Sequence, residues 1–324
     1  MDYLFRDTEG KSLKTLVNDL FEDQLQNWDM ARANYQGLQK AVTKSIPFSP
    51  LAQIRVQFNP ERIYSTSAKV DPGSISKRPC FLCPAHLPEQ QKGILFGKDY
   101  LLLVNPFPIF KRHLTIPIID HAPQRLEGRF QDMLLLAKEL DEFVVFYNGP
   151  RCGASAPDHF HFQAGNKGFL PIEQDFEKPL TTTLFTDNGS CVFAMEAYLR
   201  HALAFSSPNR IWLETQIGKA IEVLSRFEPD QTEPMMNILA IWNHDHWRIF
   251  LFPRNVHRPW QFFAEGTQKI MLSPAAVDLG GVLIIPRQED FDKLDLNTSR
   301  DVLRQVTLDN DKWEQLKQAF LYNN

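Results

Sequence analysis

The chain has 324 residues and lacks any run of about 18 apolar residues, so no segment reads as a membrane span. Its N-terminus, MDYLFRDTEGKS, lacks the basic-then-apolar pattern of a leader, which makes the cytoplasm the expected location. Charge of one sign is also missing. Thirty-five Lys and Arg against 39 Asp and Glu leave a net charge of −4. That excludes a broad basic face for nucleic acid, but not a local basic pocket for a phosphate ligand. Cysteine is scarce, with four residues. Cys80 and Cys83 form a C-x-x-C pair, which in a reducing compartment speaks for metal or redox chemistry over a structural disulfide. Cys152 and Cys191 stand alone and read as packing residues. No internal repeat, low-complexity segment or regular βαβ period is visible.

What is present is apolar and aromatic material: 43% hydrophobic residues, 25 Phe and 6 Trp. That suffices for one large or two ordinary domains. Leu13, Leu16, Val17, Leu20, Phe21, Leu25 and Trp28 recur at helical spacing and predict one helix over 11–42. Further helices are expected over 123–142, 211–227 and 300–321. Strands are expected at 54–58, 101–105, 114–119, 143–147 and 158–163. In the second part they are expected at 181–185, 191–194, 236–242, 247–253 and 282–286. Asn243-His244-Asp245-His246 reads as an exposed hairpin turn. Mixed elements of this kind predict an α+β fold with mostly antiparallel sheet. The halves are expected at 1–180 and 181–324.

The most informative stretch is Gly153-Ala154-Ser155-Ala156-Pro157-Asp158-His159-Phe160-His161-Phe162-Gln163. On a strand, alternation puts His159, His161 and Gln163 on one face and Phe160 and Phe162 on the other. Two imidazoles and an amide on one face are costly to bury without partners. A neutral imidazole is a good nucleophile near neutral pH and can carry a phosphoryl group as a phosphoramidate. A glutamine beside it can donate to a phosphate oxygen. The small residues Gly153, Ala154 and Ser155 let backbone N–H groups approach phosphates closely. Taken alone, an H-x-H-x-Q match is more often a set of ordinary polar residues on a half-exposed strand.

The flanking residues shift that balance. The stretch resembles the H-x-H-x-Q signature of the transferase branch of the histidine-triad superfamily. That branch includes the galactose-1-phosphate uridylyltransferases, the diadenosine tetraphosphate phosphorylases and the GDP-hexose phosphorylases. Asn148 is similar to an asparagine that precedes the motif, and His113 to His121 resembles the superfamily's strand ending in proline and histidine. Asn237-Ile238-Leu239 with Trp247 to Arg254 resembles a second-half N-x-L…W…P-R pattern. Ser273 to Phe291 is most similar to the GDP-hexose phosphorylases. The resemblance implies two histidine-triad-like halves, of which only the first keeps the histidine signature. It also implies that His161 is the nucleophile, that His159 is a metal ligand and that Gln163 contacts the transferred phosphate. The implied activity is nucleotidyl transfer or phosphorolysis on a nucleoside diphosphate sugar, GDP-hexose favoured, with phosphate or a sugar phosphate as acceptor.

The C-x-x-C pair alone fits a redox pair, half a zinc site or chance. Pro79 and Pro84 bracket it and no strand precedes it, which disfavours a thioredoxin-like reading. In zinc-bearing relatives four corresponding positions converge, which implies a structural zinc at Cys80, Cys83, His121 and His159. His113 is the alternative third ligand. Arg78 and Lys111, with Asn148, Gly153 and Ser155, are the candidate phosphate contacts. Two other readings compete. One is a dinucleoside polyphosphate phosphorylase. The other, from a different class, is a non-catalytic nucleotide-binding protein, against which the intact His161 and Gln163 speak. The expected partner is a small nucleotide, with no nucleic acid or membrane. The oligomeric state is open, a homodimer being one option.

Overall fold

The structure, a computed structural model, describes residues 3–5, 10–63, 71–196 and 198–321. The chain opens with two helices rather than one, Leu13–Asn27 and Asp29–Leu38. Ser12 caps the first by accepting the Thr15 N–H. The apolar period runs straight through Trp28, which hides the break. Trp28 itself is extended, and Asp29 opens the next helix with its charge at the favourable end.

Thirteen strands follow in the described residues: β1 (Val42–Pro47), β2 (Gln53–Phe58), β3 (Gly93–Phe96), β4 (Tyr100–Val104), β5 (His113–Pro117), β6 (Phe143–Asn148), β7 (His161–Asn166), β8 (Thr182–Asp187), β9 (Ser190–Met195), β10 (Ala202–Ser207), β11 (Met236–Asn243), β12 (His246–Pro253) and β13 (Val282–Ile285). Ten of them form one sheet in the order β3-β4-β5-β7-β6-β11-β12-β10-β9-β8. Every pairing in it is antiparallel. From the two edges inward the orders are β3-β4-β5-β7-β6 and β8-β9-β10-β12-β11, the same path run twice. A helix joins the third and fifth strands of each path, Phe130–Glu139 between β5 and β6 in the first and Arg210–Phe227 between β10 and β11 in the second. The expected α+β fold of two related halves with mostly antiparallel sheet is therefore the one found. The halves meet where Asn148 of β6 pairs with Asn237 of β11.

One face of the large sheet packs against helices Leu13–Asn27, Phe130–Glu139, Arg210–Phe227 and Asn310–Leu321 around a common apolar core. The other face packs against a small sheet, β1-β2-β13, and against Val302, Leu303 and Val306 of helix Leu296–Val306. β13 joins β2 in parallel, so the C-terminal region closes over the first half. β4 and β6 are buried along their whole length, which is why they read as continuous apolar runs rather than alternating ones. No helix among the described residues is long and apolar enough to cross a membrane.

Several expected boundaries move. The helix expected over 123–142 is formed only from Phe130 to Glu139. The C-terminal one is two helices, Leu296–Val306 and Asn310–Leu321, separated where Thr307 is extended and Asp309 caps the second through the Lys312 N–H. β1, β3 and β10 fell outside the expected strands. The hairpin turn at His244 and Asp245 is present and exposed, with His244 at φ 54.

Candidate active site and metal cluster

β7 begins at His161, not at Asp158 as alternation suggested. Phe160 and Phe162 do anchor in the helix-covered core, where each fully buried ring contributes ~1.5–3 kcal/mol. His161 and Gln163 face the opposite side and line a cleft of about 560 Å³. The cleft also takes in Asn148, Gly153, Ser155 and Arg78, four of the five candidate phosphate contacts. Lys111 is exposed just before the start of β5 and is not among the cleft residues. His159 departs from the expected common face. It precedes the strand, is fully buried and turns toward the cysteines instead.

His161 is 3% exposed, and its Nδ1 lies 2.9 Å from the His159 carbonyl oxygen. A carbonyl can only accept, so Nδ1 carries the proton and Nε2 keeps its lone pair. Burial pushes the imidazole pKa down to about 4, which keeps it neutral. The backbone at this point is pinned by Gln124, which nothing in the sequence pattern singled out. Its Nε2 donates to the carbonyls of Asn148 (2.9 Å) and His161 (3.0 Å), and its Oε1 accepts the His161 N–H at 2.8 Å. The β6–β7 ladder ends at Phe146 and Gln163, so this buried amide replaces the next backbone rung.

Gln163 is oriented by His113. The Ile109 N–H donates to His113 Nδ1 at 3.2 Å, which leaves the proton on Nε2 to donate to Gln163 Oε1 at 3.1 Å. Burial holds His113 neutral, its pKa down at about 3. The Gln163 NH₂ group is thus the end left for a cleft ligand. Asn148 is arranged the same way. Its Oδ1 accepts from Asn237 Nδ2 at 2.8 Å and from the Ala276 N–H at 2.9 Å, leaving its NH₂ as a donor. Asn237 in turn accepts from Arg254 Nη1 at 2.5 Å. Arg254 also donates to the carbonyls of Val306, Pro274, Val256 and His257. The second-half residues of the N-x-L…P-R pattern therefore orient a cleft amide of the first half. Among the described residues the second half presents no such site itself. β12 takes the place of β7 there and turns Phe250 and Phe252 to the same face, where Phe176 packs on Phe250 at 5.7 Å.

Gly153 has φ +101, and a Cβ there would meet Ala275 Cβ at 2.7 Å. Only glycine lets this loop touch the C-terminal segment that walls the cleft. Gly153→Ala is expected to lower stability by roughly 1–3 kcal/mol. Thermal denaturation checks this, and an unchanged melting temperature would show that the loop does not depend on the contact.

Behind His161 lies the second cluster. Ligand atoms of Cys80, Cys83, His121 and His159 all lie within 4.8 Å of one another. Cys80 Sγ is 3.2 Å and Cys83 Sγ 3.4 Å from His159 Nδ1. His121 Nδ1 is 3.2 Å from both Cys83 Sγ and His159 Nδ1. A tetrahedron with Zn–S of about 2.3 Å and Zn–N of about 2.0–2.1 Å has edges of roughly 3.3–3.8 Å. The donor set and its spacing are compatible with zinc. His159 Nε2 donates to the Ile118 carbonyl at 2.8 Å, which aims Nδ1 inward, as outer partners of metal-bound histidines do. His113 is engaged with Gln163 and is not in the set, which closes that alternative. Arg78 Nη2 pairs with Asp158 Oδ1 at 3.1 Å beside the cluster.

Comparison with known proteins agrees with this architecture. Residues 172–323 match a family described as GDPGP1-like, C-terminal domain. Residues 20–166 match one described as domain of unknown function, DUF4922. A sequence comparison with curated proteins finds no match. Among solved structures, yeast Ap4A phosphorylase Apa2 in complex with Ap4A is similar with a TM-score of 0.62 at 18% identity, over 92% of this chain and 98% of that one. The same enzyme in complex with AMP gives 0.61 at 18% identity, over 92% and 97%.

Proposed function

Given that this chain has the fold of the histidine-triad phosphorylase branch and that its second half carries a GDPGP1-like C-terminal domain, we propose that it is a nucleotidyl-transfer enzyme with His161 as nucleophile. The observation that carries this is the tautomer: a buried neutral imidazole with Nδ1–H held by the His159 carbonyl and Nε2 open to the cleft. Nε2 attacks the α-phosphorus of a nucleotide substrate. The N–P bond forms and the P–O bond to the second phosphoryl group breaks. The leaving oxygen departs with its own negative charge, so no strong general acid is required. Positive charge appears on the imidazole and is stabilised at Nδ1–H by the carbonyl oxygen. Phosphate or a sugar phosphate then attacks the same phosphorus, the P–N bond breaks and His161 returns to neutrality. The NH₂ groups of Gln163 and Asn148 donate to the transferred phosphate.

Cys80, Cys83, His121 and His159 would hold a zinc ion whose contribution is structural. All four positions are filled by side chains, so it offers no open site for substrate. It would fix the residue whose carbonyl orients His161.

GDP-hexose is the favoured substrate, supported by the similarity of Ser273 to Phe291 and by the C-terminal domain match. A dinucleoside polyphosphate is the second reading, supported by the fold shared with an Ap4A phosphorylase. Incubation with GDP-mannose, GDP-glucose, UDP-glucose and Ap4A, each with and without phosphate, separates them. The expected result is phosphate-dependent release of GDP from a GDP-hexose. Turnover of UDP-sugars alone, with a sugar-phosphate acceptor, would assign the uridylyltransferase reaction instead.

A further inference from the structure

Two cleft side chains have no task in the account above. Arg62 ends the short turn Pro60–Arg62 that follows β2. One corner of its guanidinium is tied, Nη1 donating to the Phe107 carbonyl at 2.8 Å. Its Nε is shut off from solvent and has no hydrogen-bond partner among the described residues. His257 stands on the C-terminal wall, its backbone fixed because its carbonyl accepts from Arg254 Nη2 at 3.0 Å. Its Nε2 is likewise shut off and unpartnered. Of the buried unpartnered side-chain atoms among the described residues, these two alone belong to residues that line the His161 cleft. Burying a donor without a partner is unfavourable, more so when it is charged, which marks both groups as donors suited to a ligand.

The surrounding charge says which ligand. Arg62, Arg78 and Arg258 line the cleft, and Asp278 is the sole carboxylate among the lining residues. Both of its oxygens are engaged, Oδ2 by the Ala275 N–H and Oδ1 by the Ile284 N–H, each at 2.9 Å. Burial raises its pKa to about 6, so near neutrality it is still mostly ionised, one negative charge against the three arginines. Arg62 is also buried enough to bring its pKa down to about 10 and remains cationic.

We propose that Arg62 and His257 form an anion subsite for the phosphate group that is not transferred. Arg62 donates through Nε–H, and His257 through Nε2 with the proton on that nitrogen. Phosphate binding itself stands apart from the proposed reaction; only the role in turnover rests on that reading. In the first step the subsite holds the departing phosphate monoester. In the second it holds the incoming phosphate, because both occupy the position opposite the same phosphorus. No bond is made or broken at these residues.

The test is titration of inorganic phosphate into the full chain without nucleotide, followed by calorimetry or ³¹P line broadening. Saturable binding of one phosphate per chain is expected. Arg62→Met and His257→Leu should each weaken it on the order of tenfold or more, the size of a lost charge-assisted hydrogen bond. Near-UV circular dichroism reports whether each variant is folded, and Arg62→Lys with His257→Gln serve if the first pair is not. Wild-type protein that binds no phosphate, or folded variants that bind it equally well, overturns the subsite. If phosphate binds as described while no nucleotide is turned over, the subsite stands and the proposed reaction falls. Turnover with an unchanged KM for phosphate in both variants does the reverse.

Discussion

Replacing His161 with asparagine or alanine is expected to lower kcat on the order of 10⁴-fold or more while leaving the melting temperature within about 2 °C. The reasoning is local. Among the described residues His161 makes one side-chain hydrogen bond, to the His159 carbonyl, and its backbone is held independently by Gln124. Truncation therefore removes the attacking nitrogen without unpinning the strand. A steady-state assay beside a thermal melt checks both halves of the statement. Near-normal turnover would remove His161 from the mechanism. A collapse in stability would make the kinetic loss uninformative and point to a role in folding.

The second large effect concerns the Cys80, Cys83, His121 and His159 cluster. The purified protein is expected to carry about one zinc per chain, and Cys80→Ser with Cys83→Ser to lose it. Because such an ion binds the folded state alone, its removal should cost on the order of 4 kcal/mol. In a chain of this size that corresponds to a fall of roughly 6 °C in Tm. His159→Ala should lose both zinc and activity: the backbone carbonyl at 159 remains, but without the imidazole that anchors this residue in the cluster it is no longer held in place to orient His161. Elemental analysis of protein prepared without chelator decides the matter, and an absence of any transition metal would sink the assignment.

The contrast between those two histidines shows what the sequence could and could not reveal. Phe160 and Phe162 sit in the core as period two demands, and His161 and Gln163 share the other face. His159 escaped the pattern because β7 starts two residues later, and alternation says nothing about a residue in a turn. The convergence of the four candidate metal ligands was legible only through the resemblance, since 38 residues separate Cys83 from His121 and no local spacing connects them. Three residues of the site were invisible. Gln124 acts through backbone atoms of strands far along the chain, and its neighbourhood reads as an ordinary polar helix start. Arg62 and His257 enter the cleft through the parallel pairing of β13 with β2 and the closure of the C-terminal segment. Such long-range closure leaves no periodicity to read. The same lack of a local signal explains the missed strands β1, β3 and β10, and a helix period that ran unbroken through Trp28.

The nucleotidyl-histidine is the centre of the account, and it can be trapped. The enzyme is mixed with the nucleotide substrate it turns over, labelled at the α-phosphorus, with no phosphate or other acceptor present. One label per chain is expected on the peptide that contains His161, labile to acid, stable to base as a phosphoramidate is, and discharged into labelled product when phosphate is added. Turnover on adding phosphate with no label ever retained by the protein, or label retained by His161→Ala, would contradict it.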